Sequence, residues 1–281
     1  MISSLKKTPL ILLVVLLSLS TFQPVSTAAQ SFESSTTIPT ETGTSIGIGE
    51  PKLSSSNNFF SFFSLNDNKN VTYSEDVTED SITQTIYLEP SMAGKTIEIP
   101  FVLNNGEKIN LAKDENNNSN GASNILDESE NSIGIITTES ASDDVTISAE
   151  VRNDNVLELY IDSDEIAEPT QLIVTMSATY YSTYFSSFSW ITRSGVMSLS
   201  LTHKPYLTGA KNEYDALVRL SDAWQKVLAV HSSSTNWYNT TGMKDQFTCH
   251  FNHAASKNPW NLEPSRPNVG YTKTVLAGCN P

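Results

Sequence analysis

Residues 210–230, Ala210-Lys-Asn-Glu-Tyr-Asp-Ala-Leu-Val-Arg-Leu-Ser-Asp-Ala-Trp-Gln-Lys-Val-Leu-Ala-Val230, are the clearest helical stretch of the chain, and they decide its fold class. Tyr214, Leu217, Val218, Trp224, Val227 and Leu228 recur at helical spacing and so share one face. Gly209 and the Lys204-Pro205 pair before it mark the start region. A Trp and Leu stripe of this kind packs into a core.

Upstream of that helix the apolar period is two. Met197, Leu199 and Leu201 alternate with Ser198, Ser200 and Thr202, which reads as a strand following a turn at Arg193-Ser194-Gly195. His203 falls on the apolar parity at the strand's end and reads as a packed histidine. Ile82, Gln84, Ile86 and Leu88 share one parity, as do Ile97, Ile99 and Phe101. Val145, Ile147, Ala149 and Val151, then Leu157, Leu159 and Ile161, then Leu172, Val174 and Met176 repeat the pattern. Asn105-Gly106 and Asn153-Asp154-Asn155 supply turns. The expectation is an α+β chain: an N-terminal all-β sandwich-like domain over 71–187, then a small α+β domain over 188–281. Tyr180, Tyr181, Tyr184, Phe185 and Phe188 read as an aromatic hinge between the two. The acid- and Asn-rich span Ala112 to Asn131 reads as a long exposed loop, and its carboxylates lack calcium-loop spacing.

The N-terminus has the form of an export signal over residues 1–29. Lys6 and Lys7 precede the apolar run Leu10 to Leu17, and Ser26-x-Ala28 or Thr27-x-Ala29 suits signal peptidase. The run is short of the ~20 residues that span a bilayer, so a secreted, extracellular protein with no membrane segment after cleavage is expected. Residues 30–70 are rich in Ser, Thr and Asn and read as a disordered linker, interrupted by Phe59, Phe60, Phe62 and Phe63.

Charge divides the chain. Residues 30–189 carry six Lys/Arg against twenty-six Asp/Glu, whereas Trp190 to Pro281 carry nine against five. Every His, Cys and Trp also lies between Trp190 and Pro281. The two halves therefore attract each other in cis. The positive balance is too small to signal nucleic acid.

The candidate chemistry is densest in Gln246-Phe-Thr-Cys-His-Phe-Asn-His253, Trp260-Asn-Leu-Glu-Pro-Ser-Arg-Pro267 and Cys279-Asn-Pro281. A helix over Met243 to Ala254 and, over Val269 to Ala277, either a final helix capped by Asn268, which is preferred, or a closing strand flank a Pro-rich loop. In an exported chain Cys249 and Cys279 read as a disulfide rather than as free thiols. Three chemical readings remain beside that staple. Cys249, His250, His253 and Cys279 are a conceivable zinc set, although adjacent Cys and His on one helix diverge, so no metal and no cofactor is expected. His250 with Glu263 and Arg266 has the residue types for acid–base cleavage of a phosphodiester. The plainer reading is that Glu263 and Arg266 pin the loop by a salt bridge. Cys249 beside His250 would be a nucleophile only as a free thiolate. His253, Trp260 and Gln246 are the accompanying candidates for binding.

Those strings carry a resemblance. Trp190-Ile-Thr-Arg-Ser-Gly195, Val196-Met-Ser-Leu-Ser-Leu201, Ala223-Trp224, Met243-Lys-Asp-Gln-Phe-Thr-Cys-His250, Trp260-Asn-Leu-Glu-Pro-Ser-Arg-Pro267 and Cys279-Asn-Pro281 resemble an uncharacterised C-terminal domain family of secreted Gram-positive bacterial proteins. Ser265 departs from the family's pattern, which has a bulkier aromatic there. The resemblance implies secretion and a domain start near Phe188, and no activity. The functional expectation is binding of an anionic wall or surface polymer by the C-terminal module. The alternative is a hydrolase or toxin-like enzyme using His250, Glu263 and Arg266, masked by the acidic domain.

Overall fold

Alternating burial along β-strands such as Ser81–Leu88, Thr96–Val102 and Thr170–Ala178 builds the β-rich part of the molecule. The computed structural model describes residues 35–54, 71–163 and 166–281; residues 1–29, expected to be an export signal, and the Phe59–Phe63 cluster lie outside them. Twelve strands come first: β1 (Thr36–Pro39), β2 (Ser45–Ile48), β3 (Lys52–Leu53), β4 (Tyr73–Val77), β5 (Ser81–Leu88), β6 (Thr96–Val102), β7 (Lys108–Leu111), β8 (Ser123–Leu126), β9 (Ser132–Ser140), β10 (Ile147–Arg152), β11 (Val156–Ile161) and β12 (Thr170–Ala178). One six-stranded sheet runs β1-β2-β6-β11-β10, with β3 also on β6; the other runs β4-β5-β12-β9-β8-β7. All pairings are antiparallel.

The apolar parities read from the sequence face a shared core. Ile97, Ile99, Phe101, Leu157 and Leu159 from one sheet and Ile82, Ile86, Leu172, Val174 and Met176 from the other are all buried in a single hydrophobic cluster. Gln84 sits on the same buried parity. Its Nε2 donates to Gly49 O at 3.1 Å on the other sheet's side and to Glu75 at 3.1 Å, which answers the amide nitrogen, while Oε1 has no hydrogen-bond partner among the described residues. Asn153 and Asp154 adopt positive φ (53° and 65°) in the turn from β10 to β11, as a tight hairpin requires.

The linker expectation is corrected over 36–53. Ile38, Ile46 and Ile48 are buried in the same core, so three apolar side chains suffice to draw a Ser/Thr-rich stretch into β1 and β2. The acidic span is corrected as well. It contains β8, and Ala122, Ser123, Asn124 and Ile125 are buried.

The second core begins earlier than Phe188. After α1 (Tyr181–Tyr184) come β13 (Phe185–Arg193), β14 (Val196–His203), α2 (Pro205–Thr208), α3 (Glu213–His231), α4 (Thr240–His253), β15 (Trp260–Leu262) and α5 (Tyr271–Leu276). β13, β14 and β15 form a three-stranded antiparallel sheet. Ser194 and Gly195 make its first hairpin at positive φ. Tyr184, Phe185, Leu199, Leu201, Trp224, Val227, Phe247 and Trp260 are buried together. The aromatic run is therefore divided: Tyr180 packs against the first core, while Tyr184 and Phe185 belong to the second. Asn268 does not cap α5; it accepts from Gly270 N at 3.3 Å, one turn ahead of the helix.

α3 lies between the two cores, and all these elements belong to one compact unit. Its Trp224 side meets the second core, and Val218 meets Ala122 and Ile135 of the β-rich part. The polar side of the helix is consequently buried too. Asp215, Arg219, Asp222 and Lys226, spaced for one face, are between 0% and 8% exposed. Asp215 accepts from Arg219 Nε at 2.5 Å and from Lys211 N at 2.8 Å. Arg219 also donates to Tyr206 O and lies 4.1 Å from the Tyr206 ring centre. Lys226 Nζ donates to Ser132 O at 2.8 Å, at the start of β9, and to Glu41 at 3.4 Å. Asn124 Nδ2 donates to Val218 O at 3.3 Å.

Removing one partner of a buried ion pair strands the other. Asp215→Ala should lower unfolding stability by about 3–5 kcal/mol, and Asp215→Leu with Arg219→Met should recover most of it. Urea unfolding of the three proteins checks this; a single-variant loss below about 1 kcal/mol contradicts the buried pairing.

Candidate functional site

The three candidate strings meet where α4, β15 and the C-terminus converge. α4 starts at Asn239, whose side chain accepts from Gly242 N at 3.3 Å. The same amide donates to Pro264 O at 3.2 Å and Arg266 O at 2.7 Å, so the cap also pins the Pro-rich loop. A Cβ on Gly242 would fall 2.6 Å from Asn239 Nδ2, which makes glycine a requirement of this cap.

One turn further on, Gln246 is fully buried and clamps the backbone of Glu263. Its Oε1 accepts from Glu263 N at 2.7 Å and its Nε2 donates to Glu263 O at 3.1 Å. Asn280 Nδ2 donates to Gln246 Oε1 at 3.1 Å and to Asn261 O at 3.0 Å. Cys249 and Cys279 form a disulfide with Cα atoms 5.4 Å apart, closing a 30-residue separation. That bond excludes a free Cys249 nucleophile and removes both thiols from any zinc set. Among the described residues no group of three or more His, Cys, Asp and Glu is placed to hold a metal ion.

Glu263 and Arg266 do come together. Glu263 Oε2 accepts from Arg266 Nε at 2.6 Å, and Oε1 accepts from Ser198 Oγ at 3.2 Å. Both carboxylate oxygens are thus engaged, in a residue 7% exposed. His250 lies within reach of this charge but is itself 2% exposed. Its ring stacks on Trp260, with centres 6.0 Å apart and planes at 10°. Burial is the main cause that lowers its pKa from 6.5 to about 4, and the backbone of Asn261 beside the ring acts the other way. The ring is therefore neutral and enclosed at pH 7. Among the described residues neither ring nitrogen has a hydrogen-bond partner, nor does Trp260 Nε1 or Asn261 Oδ1.

The remaining candidates divide by exposure. Trp260 is fully buried in the second core and offers no stacking surface. His253 is exposed, its Nε2 3.2 Å from Tyr271 OH, which also accepts from Asn252 Nδ2 at 2.8 Å. His203 is packed against Trp260, with its Nε2 2.9 Å from Lys257 O. Chemically the cluster holds a short, Pro-rich connection and the chain end in place. The groups missed from sequence are Asn239 and Asn280, whose type and position next to the strings were the only signal, and the buried face of α3.

Two outcomes follow. Replacing both Cys249 and Cys279 by Ser should destabilise the protein by roughly 3–4 kcal/mol through loop closure, measured as the unfolding midpoint with and without reductant; an unchanged midpoint contradicts it. As pH falls from 6.5 toward about 4, the unfolded chain takes up a proton that the His250 ring refuses. Stability then declines by at most about 1.4 kcal/mol per pH unit for this group. His250→Asn should flatten the stability–pH slope in that window, and an identical slope contradicts the assignment.

Comparison with known proteins places these strings in context. Residues 185–281 match the family described as Protein of unknown function (DUF2599). Uncharacterised proteins of Mycobacterium tuberculosis and Mycobacterium bovis are 41% identical to this chain over 63 residues. That match covers 21% of this chain and 40% of each relative's own length. No solved structure matches. The second core, from Phe185 to Pro281, is accordingly a DUF2599 domain, with uncharacterised homologues in mycobacteria.

Proposed function

We propose that the protein is secreted by a signal peptide over residues 1–29. In this reading it carries a β-sandwich module followed by a C-terminal module that binds an anionic wall or surface polymer of the Gram-positive type. The observation that carries this reading is the sorting of charge within the second module. Its acids are mostly inside: Asp215, Asp222 and Glu263 are buried. Of its cations, Arg219 and Lys226 are buried, while Arg193, Lys211, Lys244, Lys257 and Lys273 are exposed, and Lys204 and Arg266 are partly so. Against these, Glu213 is exposed and Asp245 partly so. The surface of this module is thus more basic than its composition, within a chain of net charge −14. Such a surface attracts polyanions over a distance set by ionic strength.

The hydrolase alternative has less support. His250 is enclosed and neutral at pH 7, and both oxygens of Glu263 are occupied by Arg266 and Ser198.

Co-sedimentation of the full chain with polyglycerol phosphate coupled to beads tests the binding reading. Retention at low salt should be lost near 1 M salt, where the screening length is about 3 Å. The triple change Lys244→Glu, Lys257→Glu and Lys273→Glu should abolish retention. Absent or salt-insensitive retention, or retention unchanged in the variant, contradicts it.

A further inference from the structure

A polar groove runs along the outer face of the first sheet and reaches the start of α3, where Lys211 lines it. The register sets Ser148 opposite Tyr160 and Tyr160 opposite Thr96, a row across β10, β11 and β6. Neighbouring Leu159 and Ile97 point into the core, so this row projects outward, together with Glu150, Glu158 and Glu98 two residues on. The facing wall is the turn after β7. There Asp114 accepts from Asn116 N and Asn118 N, each at 2.8 Å, and from Asn118 Nδ2 at 3.1 Å. Tyr214 OH donates to the same carboxylate at 3.2 Å, and Asn212 Nδ2 donates to Thr138 O at 3.0 Å. The start of α3 is thereby fixed as the groove's far end.

Two adjoining recesses make up the groove. One of about 410 Å³ lies over Thr96, Ser148 and Tyr160, and one of about 620 Å³ continues past Thr146 and Ser142 to Lys211 and Tyr214. They share Asn118, Ser119 and Ser148. Each falls in the roughly 300–1,000 Å³ range of small-molecule sites. Hydroxyls and amides dominate the lining, with Glu139, Asp143, Glu150, Glu158 and Asp162 as its carboxylates and Lys211 as its cation. Thr96, Thr146, Ser148 and Tyr160 have no side-chain hydrogen bond to other described residues, so their hydroxyls are available to a ligand. Glu158 is paired with Arg152 Nε at 2.6 Å; the other lining carboxylates accept hydrogen bonds from neutral hydroxyls and repel anions. Tyr160, 42% exposed, provides an aromatic ring with an apolar body and a polar tip.

We propose that this groove binds a linear, uncharged polysaccharide. Tyr160 packs on a sugar ring, and Ser148, Thr146 and Asn118 hydrogen-bond its hydroxyls. Lys244, Lys257 and Lys273, the cations changed in the polyanion test, do not line this groove.

The test is calorimetric titration of the full chain with cellotetraose, chitotetraose and maltotetraose, with tetragalacturonate as the charged control. At least one neutral tetrasaccharide should bind with a Kd of about 1 mM or tighter, and tetragalacturonate should bind more weakly than it. Tyr160→Ala and Ser148→Arg, both at surface positions, should each weaken that binding at least about tenfold. Either variant suffices should the other fail to fold, as judged by its thermal unfolding. No binding of any neutral probe, preference for the galacturonate, or full affinity in a folded variant overturns the proposal.

Discussion

The ion pair between Asp215 and Arg219, together with the amine of Lys226, sets the terms for the rest of the structure. A helix with one polar face ordinarily gives that face to water. Here α3 turns it toward β8 and β9, and each ion withdrawn from water costs several kcal/mol unless it is answered. Arg219 is answered by Asp215 and the Tyr206 carbonyl, and Lys226 by Ser132 O and Glu41. Those partners come from α2, from the start of β9 and from the turn between β1 and β2. Asp222 is the least satisfied member. It is fully enclosed, and burial raises its pKa against the opposing charge of Lys226. The hydroxyls of Ser132, Tyr184 and Thr179 lie beside it, yet neither carboxylate oxygen reaches a partner at hydrogen-bond geometry among the described residues.

The conspicuous strings of the second module serve a related end. Gln246 clamps Glu263, Asn280 bridges Gln246 to Asn261, and Asn239 ties the helix start to Pro264 and Arg266. The disulfide fastens the same two segments covalently. A module this small buries a limited core and relies on such fastenings. The density of Cys, His, Trp, Asn and Pro then reflects a connection of irregular backbone whose polar groups must all be satisfied. The residues left to meet a partner are the exposed Lys and Arg side chains and the outer face of the first sheet.

Much of this was legible in the sequence. The parities of Ile82 to Leu88, Ile97 to Phe101, Leu157 to Ile161 and Leu172 to Met176 all face the core, because a strand buried on one side must alternate. The α3 stripe, the Ser194-Gly195 hairpin and the Cys249–Cys279 bond were read from equally local signals. Three features were not. β1 and β2 hold three buried isoleucines among Ser and Thr, too few for a periodic signal, and their order depends on pairing with β6. Burial of the second face of α3 is a tertiary event: Asp215, Arg219, Asp222 and Lys226 look like any solvated face until β9 is placed against them. The enclosure of His250 likewise depends on Trp260, ten residues away, and on the C-terminal Asn280.

The central claim is that α3 fuses the two cores into one cooperative structure. Differential scanning calorimetry of the oxidised full chain measures this directly. The account predicts a single endotherm whose calorimetric and van't Hoff enthalpies agree. Two resolved transitions, one for the β-rich part and one for residues 185–281, would contradict it.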